Sequence, residues 1–418
     1  MKRANLILMA ALAAAGLVGA TGALLVPAVV VAATPAPKLG AKMSKPIAAA
    51  QEAIKVKDWD GALAALTEAR AIEPKTPYEA FVIDYIAWYP LVQKKDYAAA
   101  EAALARAMAS GFVPETEQAT RYKALAQLNF ELKQYPKVVE YGKKVLELAP
   151  GSDDVAVLVA QAMFLADDFN GARGFVQQYT TGAAKPNEQL LQIALQASAE
   201  LNDRAGAIAV LEQLIRAYPS QRYWHDLLSN QLYETKGDRD LRALYRLMAD
   251  TSTLEKSEDY SEMATLLLSA GYPGEAKGIL DRGLAAGVFK GEALTRAQTD
   301  LKRATVGADA DLKDLPGADK ALAAAKSGNE MVANGKLFFS VGEYGKAADA
   351  ISKGLEKGGV TDADDAQMLL GIALVRAGQG PAAIDALGKV RDPKLAGIAR
   401  LWKLYVETRG QPAAPSAG

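Results

Sequence analysis

The chain has 418 residues, half of them apolar, with 48 basic against 49 acidic side chains, a formal charge of −1 and no cysteine. That composition is enough to bury a large core, and it excludes disulfides, thiolate catalysis, Cys-ligated metals and an acylated lipoprotein cysteine. The single histidine, His225, excludes a multi-His metal site within one chain, and the even charge balance lacks the basic surface that nucleic acid demands.

The first segment reads "MKRANLILMAALAAAGLVGATGALLVPAVVVAATPAP". Lys2 and Arg3 make a basic start, and no further charge appears before Lys38. Val31 and Ala33 supply the small residues that an export-signal cut before Thr34 requires. The apolar run exceeds the usual signal core and is long enough to cross a bilayer, so residues 1–33 read as a signal peptide or, alternatively, residues 4–33 as a retained inner-membrane anchor. Both readings place residues 40–418 outside the cytoplasm, periplasmic or secreted. Removing residues 1–33 leaves 46 basic against 49 acidic residues, a balance of −3. Residues 34–44, opening on the Pro-rich "TPAPK", read as an extended linker.

From residue 45 onward one pattern recurs. In "DWDGALAALTEARAIEP", Ala62, Leu66 and Ala69 share one helix face, because residues three and four apart stack over each other. Small side chains at the first and third positions allow a neighbouring helix to come close, and Pro74 marks the exit. The first small position, hereafter the key position, returns at Ala100, Val138, Ala172, Ala207, Leu241, Ala276, Ala347 and Ala383, with spacings of 34–38 apart from the 71-residue step between 276 and 347. That long step accommodates one degenerate unit through 290–326. The helix predicted in "KLAGIARLWKLYVETRG" (394–410) carries Leu395, Ile398, Leu401, Trp402 and Tyr405 on one stripe and reads as a cap over the last repeat. The tail 411–418 reads as a disordered end.

A period near 34 with two amphipathic helices per unit resembles the tetratricopeptide repeat (TPR). Trp59, Tyr97, Tyr135, Phe169 and Tyr344 each precede a key position by three, as the second helix of that family prefers, and "LLGIALVRAG" (369–378) is the cleanest first-helix fragment. The resemblance covers about 45–393. It implies an all-α fold, a right-handed superhelical solenoid of antiparallel helix pairs, with about nine to ten repeats whose apolar faces are buried by stacking. It also implies a non-catalytic protein–protein interaction scaffold that holds a peptide or partner protein on the concave face, lined by the first helix of each pair.

Counting back from each key position selects the residues expected to face inward: Tyr85 and Tyr89; Lys123, Gln127 and Phe130; Gln161 and Phe164; Gln192 and Gln196; and Arg222, Asp226, Asn230 and Tyr233. Amides both donate and accept, as an extended backbone requires, while the aromatics grip side chains. The competing reading gives Gln and Asn to a solvated face and the aromatics to packing between helices. Family members with a carboxylate clamp use Lys and Asn at inner positions. Here Lys123 and Asn230 are separated by two or three units, so that activity is not carried over.

Chemistry is otherwise sparse. His225 and Asp226 are adjacent and point apart on a helix. Gly335 and Lys336 lack the spacing of a phosphate loop, and neither HExxH nor GxSxG occurs. The acid pairs Asp153/Asp154, Asp167/Asp168 and Asp364/Asp365 sit where helix N-termini need caps. The expectation is a protein without cofactor or metal, not an enzyme, whose partner is a protein or peptide and not nucleic acid. The membrane enters only through an uncleaved N-terminal segment. A solenoid that takes a glycan or small ligand in its groove is the less favoured alternative.

Overall fold

The computed structural model describes residues 37–409, and every regular element among them is a helix, twenty in all. The expected export segment 1–33, the first linker residues and the tail 411–418 lie outside the described residues. No described helix is long and apolar enough to cross a membrane. Where one uninterrupted array was expected, the contacts divide the chain into two units, one ending at Leu201 and the other beginning at Asn202.

Unit 1 holds α1 (Ala41–Lys55), α2 (Trp59–Ala71), α3 (Pro77–Gln93), α4 (Tyr97–Ala109) and α5 (Glu115–Glu131). It continues with α6 (Tyr135–Leu148), α7 (Asp153–Leu165), α8 (Phe169–Thr180) and α9 (Glu188–Glu200). Unit 2 begins with α10 (Arg204–Ala217), α11 (Gln221–Glu234), α12 (Asp238–Asp250), α13 (Ser257–Ser269) and α14 (Pro273–Ala285). Then follow α15 (Gly291–Ala324), α16 (Gly328–Ser340), α17 (Tyr344–Lys357), α18 (Ala363–Arg376), α19 (Gly380–Leu387) and α20 (Pro393–Thr408). The key positions fall on α2, α4, α6, α8, α10, α12, α14, α17 and α19. The described residues are therefore all-α, built of solenoid-type helical repeats with nine second helices among them.

Most pairs share the same local devices, α12 excepted, where the left-handed residue is Gly237, four before Leu241. The residue five before the key position turns the chain in the left-handed region, with φ between 54° and 61° at Lys57, Lys95, Lys133, Asp167 and Asn202. Glycine does this at Gly271, Gly342 and Gly378, where φ is 77–88° without steric cost. The next residue caps the second helix: Asp58, Asp96, Asp168 and Asp203 accept from the backbone N–H three residues on, at 2.9–3.1 Å. Ala62, Ala100, Val138, Ala172, Ala276, Ala347 and Ala383 are then fully buried. Ala207 and Leu241 stay half-buried. Close approach has a direct measure at Gly371 and Gly335, where an added Cβ would lie 2.5 Å from Leu387 and Ile351.

Two expectations about the fold are corrected. The segment 290–326 is one 34-residue helix, not a degenerate pair. A pair needs an apolar stripe on each half, and here the stripe Ala297, Ala304 and Ala308 ends early, with only Ala318 buried beyond it. Repeat packing also begins four residues ahead of the expected start, at Ala41, because Glu79 on α3 accepts the Gly40 N–H at 2.9 Å and fixes the entry to α1.

The closing helix does more than cover the last repeat. α20 packs on α18 and α19, and also on α10 and α12. Its predicted stripe is buried apart from half-buried Tyr405, and Ala399 and Leu404 are buried beside it, so the helix has an apolar surface for more than one neighbour. The Trp402 indole N–H donates to the Ala243 carbonyl at 3.1 Å, and the Tyr405 hydroxyl to the Asp250 carbonyl at 3.2 Å. Within unit 2 the chain thus returns to its own beginning.

Candidate functional site

The first helices of unit 1 bring several expected residues into register. Lys123 on α5 forms an ion pair with Asp154 on α7, which brings neighbouring first helices into contact, the position fifteen before one key residue meeting the position eighteen before the next. One turn along, eleven residues before each key position, stand Tyr89 on α3, Gln127 on α5, Gln161 on α7 and Gln196 on α9. All four are half-buried. A half-buried amide on a rigid helix has its rotamer restricted by packing while its polar end still reaches the surface. Gln192, one turn earlier on α9, is half-buried too.

The aromatics have structural work. Tyr85 is buried, its hydroxyl donates to the Glu117 carboxylate, and it accepts from Arg121 Nε at 2.8 Å. Burial, then the bond to Glu117, pushes its hydroxyl pKa up to about 12. The Arg121 guanidinium lies 5.0 Å from the Tyr85 ring and 5.6 Å from Trp88. Tyr89 meets Trp59 and Trp88 edge-on at 5.7 and 5.9 Å. Phe130 and Phe164 each pack edge-on against the aromatic that opens the following helix, Tyr135 at 6.0 Å and Phe169 at 5.1 Å. Phe339 and Tyr344 repeat this pair at 5.3 Å in unit 2. The aromatic three before the key position is thus paired within its own repeat, which favours the packing reading for Phe130 and Phe164.

The four residues expected on α11 belong to unit 2. Arg222 is exposed, Asn230 donates from Nδ2 to the Asp226 carbonyl at 2.8 Å, and Tyr233 is 71% exposed with the Arg204 guanidinium 4.9 Å from its ring. His225 lies between two carboxylates, its Nε2 3.4 Å from Glu255 and its Nδ1 3.7 Å from Asp226 on its own helix, so the adjacent pair expected to point apart does meet at ion-pair distance. Of the acid pairs, Asp168 caps a helix N-terminus as expected. Asp153 instead accepts from the Tyr179 hydroxyl at 2.9 Å, and Asp364 accepts from the Arg391 and Asp392 N–H groups at 2.6 and 3.2 Å. Sequence reading missed the Glu117–Arg121 pair, although its spacing of four on α5 was a usable signal.

Residues 332–394, running from α16 past α19, match the model of the tetratricopeptide repeat family. No curated protein matches the chain. Among solved structures, YrrB, a TPR protein with an unusual peptide-binding site, is 18% identical over 43% of this chain and 87% of its own, with a TM-score of 0.33. The Naa15/Naa10 complex bound to HypK-THB is 14% identical over 86% of this chain and 66% of that one, at 0.40. A tetratricopeptide repeat protein from Parabacteroides merdae is 12% identical over 80% of this chain and all of its own, at 0.32.

Proposed function

We propose that this chain, whose residues 332–394 match the tetratricopeptide repeat family, is throughout a protein of that kind, a non-catalytic scaffold of the cell envelope that holds an extended segment of a partner protein on the first-helix face of unit 1. The observation that carries this reading is the recurrence of a half-buried amide at one position of three successive first helices, Gln127, Gln161 and Gln196, with Tyr89 ahead of them. A row of side chains that both donate and accept matches the alternating N–H and C=O groups of an extended peptide. The export reading rests on Lys2, Arg3, the apolar run and the Val31–Ala33 site. Retention of residues 4–33 would make the same scaffold membrane-anchored, and the mass of the purified chain separates the two: a start at Thr34 excludes the anchor.

The test is a crosslinked capture from the cell envelope with the parent and with Gln127→Ala/Gln161→Ala/Gln196→Ala. The expected outcome is a partner held by the parent and lost by the variant, with hydrogen exchange of α5, α7 and α9 unchanged. Equal capture by both would remove the amide row from the site.

A further inference from the structure

The return of α20 onto α12 builds a cleft of about 660 Å³ within unit 2, walled by the end of α12, by α14, by the α16–α17 turn, and by α18 and α20. That volume lies within the range of small-molecule sites. At its inner wall Arg376, its side chain 12% exposed, is held by Asp250 at 3.1 Å and by Glu275 at 2.7 Å. Glu275 is shared with the buried Arg246, also at 2.7 Å. The two carboxylates are therefore committed to two guanidinium groups. Carboxylates engage one hydrogen on each of the three Arg376 nitrogens, and two of its five N–H donors are not committed to a carboxylate.

Two more arginines line the same cleft, and both are exposed. Among the described residues neither forms an ion pair with a carboxylate. Arg282 makes one long contact, 3.5 Å to the Ala249 carbonyl, and Arg409 donates to the Val375 carbonyl at 2.8 Å while lying 5.8 Å from the Tyr405 ring. Four guanidinium groups thus meet two carboxylates, leaving two positive charges over one concavity. A guanidinium fork matches carboxylate and phosphate oxygens in geometry as well as charge.

We infer that this cleft binds a small molecule bearing at least two negative charges, carried by carboxylate or phosphate groups, with Arg282 and Arg409 as its principal anchors. A monoanion leaves one guanidinium without a counter-charge, so the site discriminates by charge number. The site is independent of the amide row in unit 1, and either assignment can fail alone.

Isothermal titration of the full chain at matched ionic strength tests this, with citrate and succinate in one arm, glycerol phosphate and inorganic phosphate in the other, and acetate as the monoanion. The expected result is saturable one-to-one binding in at least one dianion arm, with acetate weaker by roughly tenfold or more. The arm that binds identifies carboxylate or phosphate as the ligand group. Arg282→Ala/Arg409→Ala should lose at least roughly tenfold in affinity, and Arg296→Ala, on the exposed face of α15, should lose none. Arg282→Gln, which removes one charge and leaves the Arg409 bond intact, serves if the double variant does not fold. Absence of binding in both arms, acetate binding as tightly as the dianions, or undiminished binding by the arginine variants would overturn the assignment.

Discussion

Units 1 and 2 are built from the same helix pair and are held together differently. In unit 1 the side-chain hydrogen bonds among described residues reach about one repeat along the chain, the farthest joining Gly40 to Glu79. In unit 2 they reach from Trp402 to Ala243, from Arg376 to Asp250 and from Glu407 to Arg216. Unit 1 is thus a sum of neighbouring contacts, whereas unit 2 is a closed structure with charges locked inside. Repeats of one kind can therefore give a surface in one part of a chain and a cleft in another. What differs is whether later helices carry the residues to return.

The largest expected effect follows from the locked charges. Glu275→Gln leaves Arg246 and Arg376 without their shared carboxylate and should cost about 3–5 kcal/mol. Hydrogen exchange should report the loss throughout α12, α14, α18 and α20, with α1–α8 unaffected. Protection lost only near α14 would show that unit 2 is not closed cooperatively.

Acid probes the same group. Burial pushes the Glu275 carboxyl upward, but Arg246 and Arg376 outweigh it and hold the value down to about 2 against an ordinary 4.5. A folded value below the unfolded one means that the stabilisation is complete above pH 4.5 and drains away as pH falls from about 4.5 towards 2. Pepsin digestion across that window, with cuts mapped by mass spectrometry, should open unit 2 before unit 1. The reverse order would assign acid sensitivity to another group.

Smaller and more local effects belong to unit 1. An added Cβ at Gly142 would lie 2.3 Å from Val159 Cγ2, so Gly142→Leu should cost about 1–3 kcal/mol through overpacking. The lost protection should centre on α6 and α7, as expected where repeats contact only their neighbours. Smaller again, Asp96→Ala removes the cap on α4 and should cost about 1 kcal/mol, read as a shift in the urea midpoint. No shift would mean that water replaces the lost acceptor.

Much of the architecture was legible because it is local. The key positions from Ala62 to Ala383, the aromatics three residues before them and the close contact at Gly371 recur at fixed spacing, since each pair solves one packing problem with one set of residues. The register of Gln127, Gln161 and Gln196 followed from the same spacing. The roles of Tyr85, Phe130 and Phe164 were less legible. Spacing gives the helix face, but whether an aromatic there meets solvent depends on the neighbours: Glu117 and Arg121 for Tyr85, and the opening aromatic of the next helix for the phenylalanines.

The sequence by itself determined the helix pair, its capped turn and its repetition, because these depend on residues within one repeat length of each other. Only the tertiary structure decided the boundary at Leu201, the unbroken α15 and the return of α20. The cleft belongs with these, since its arginines at 282, 376 and 409 and its carboxylates at 250 and 275 share no period. Periodicity fixes which residues are equivalent. Which distant surfaces meet is set by where apolar area and opposite charge can be buried together, as at Trp402 and Glu275.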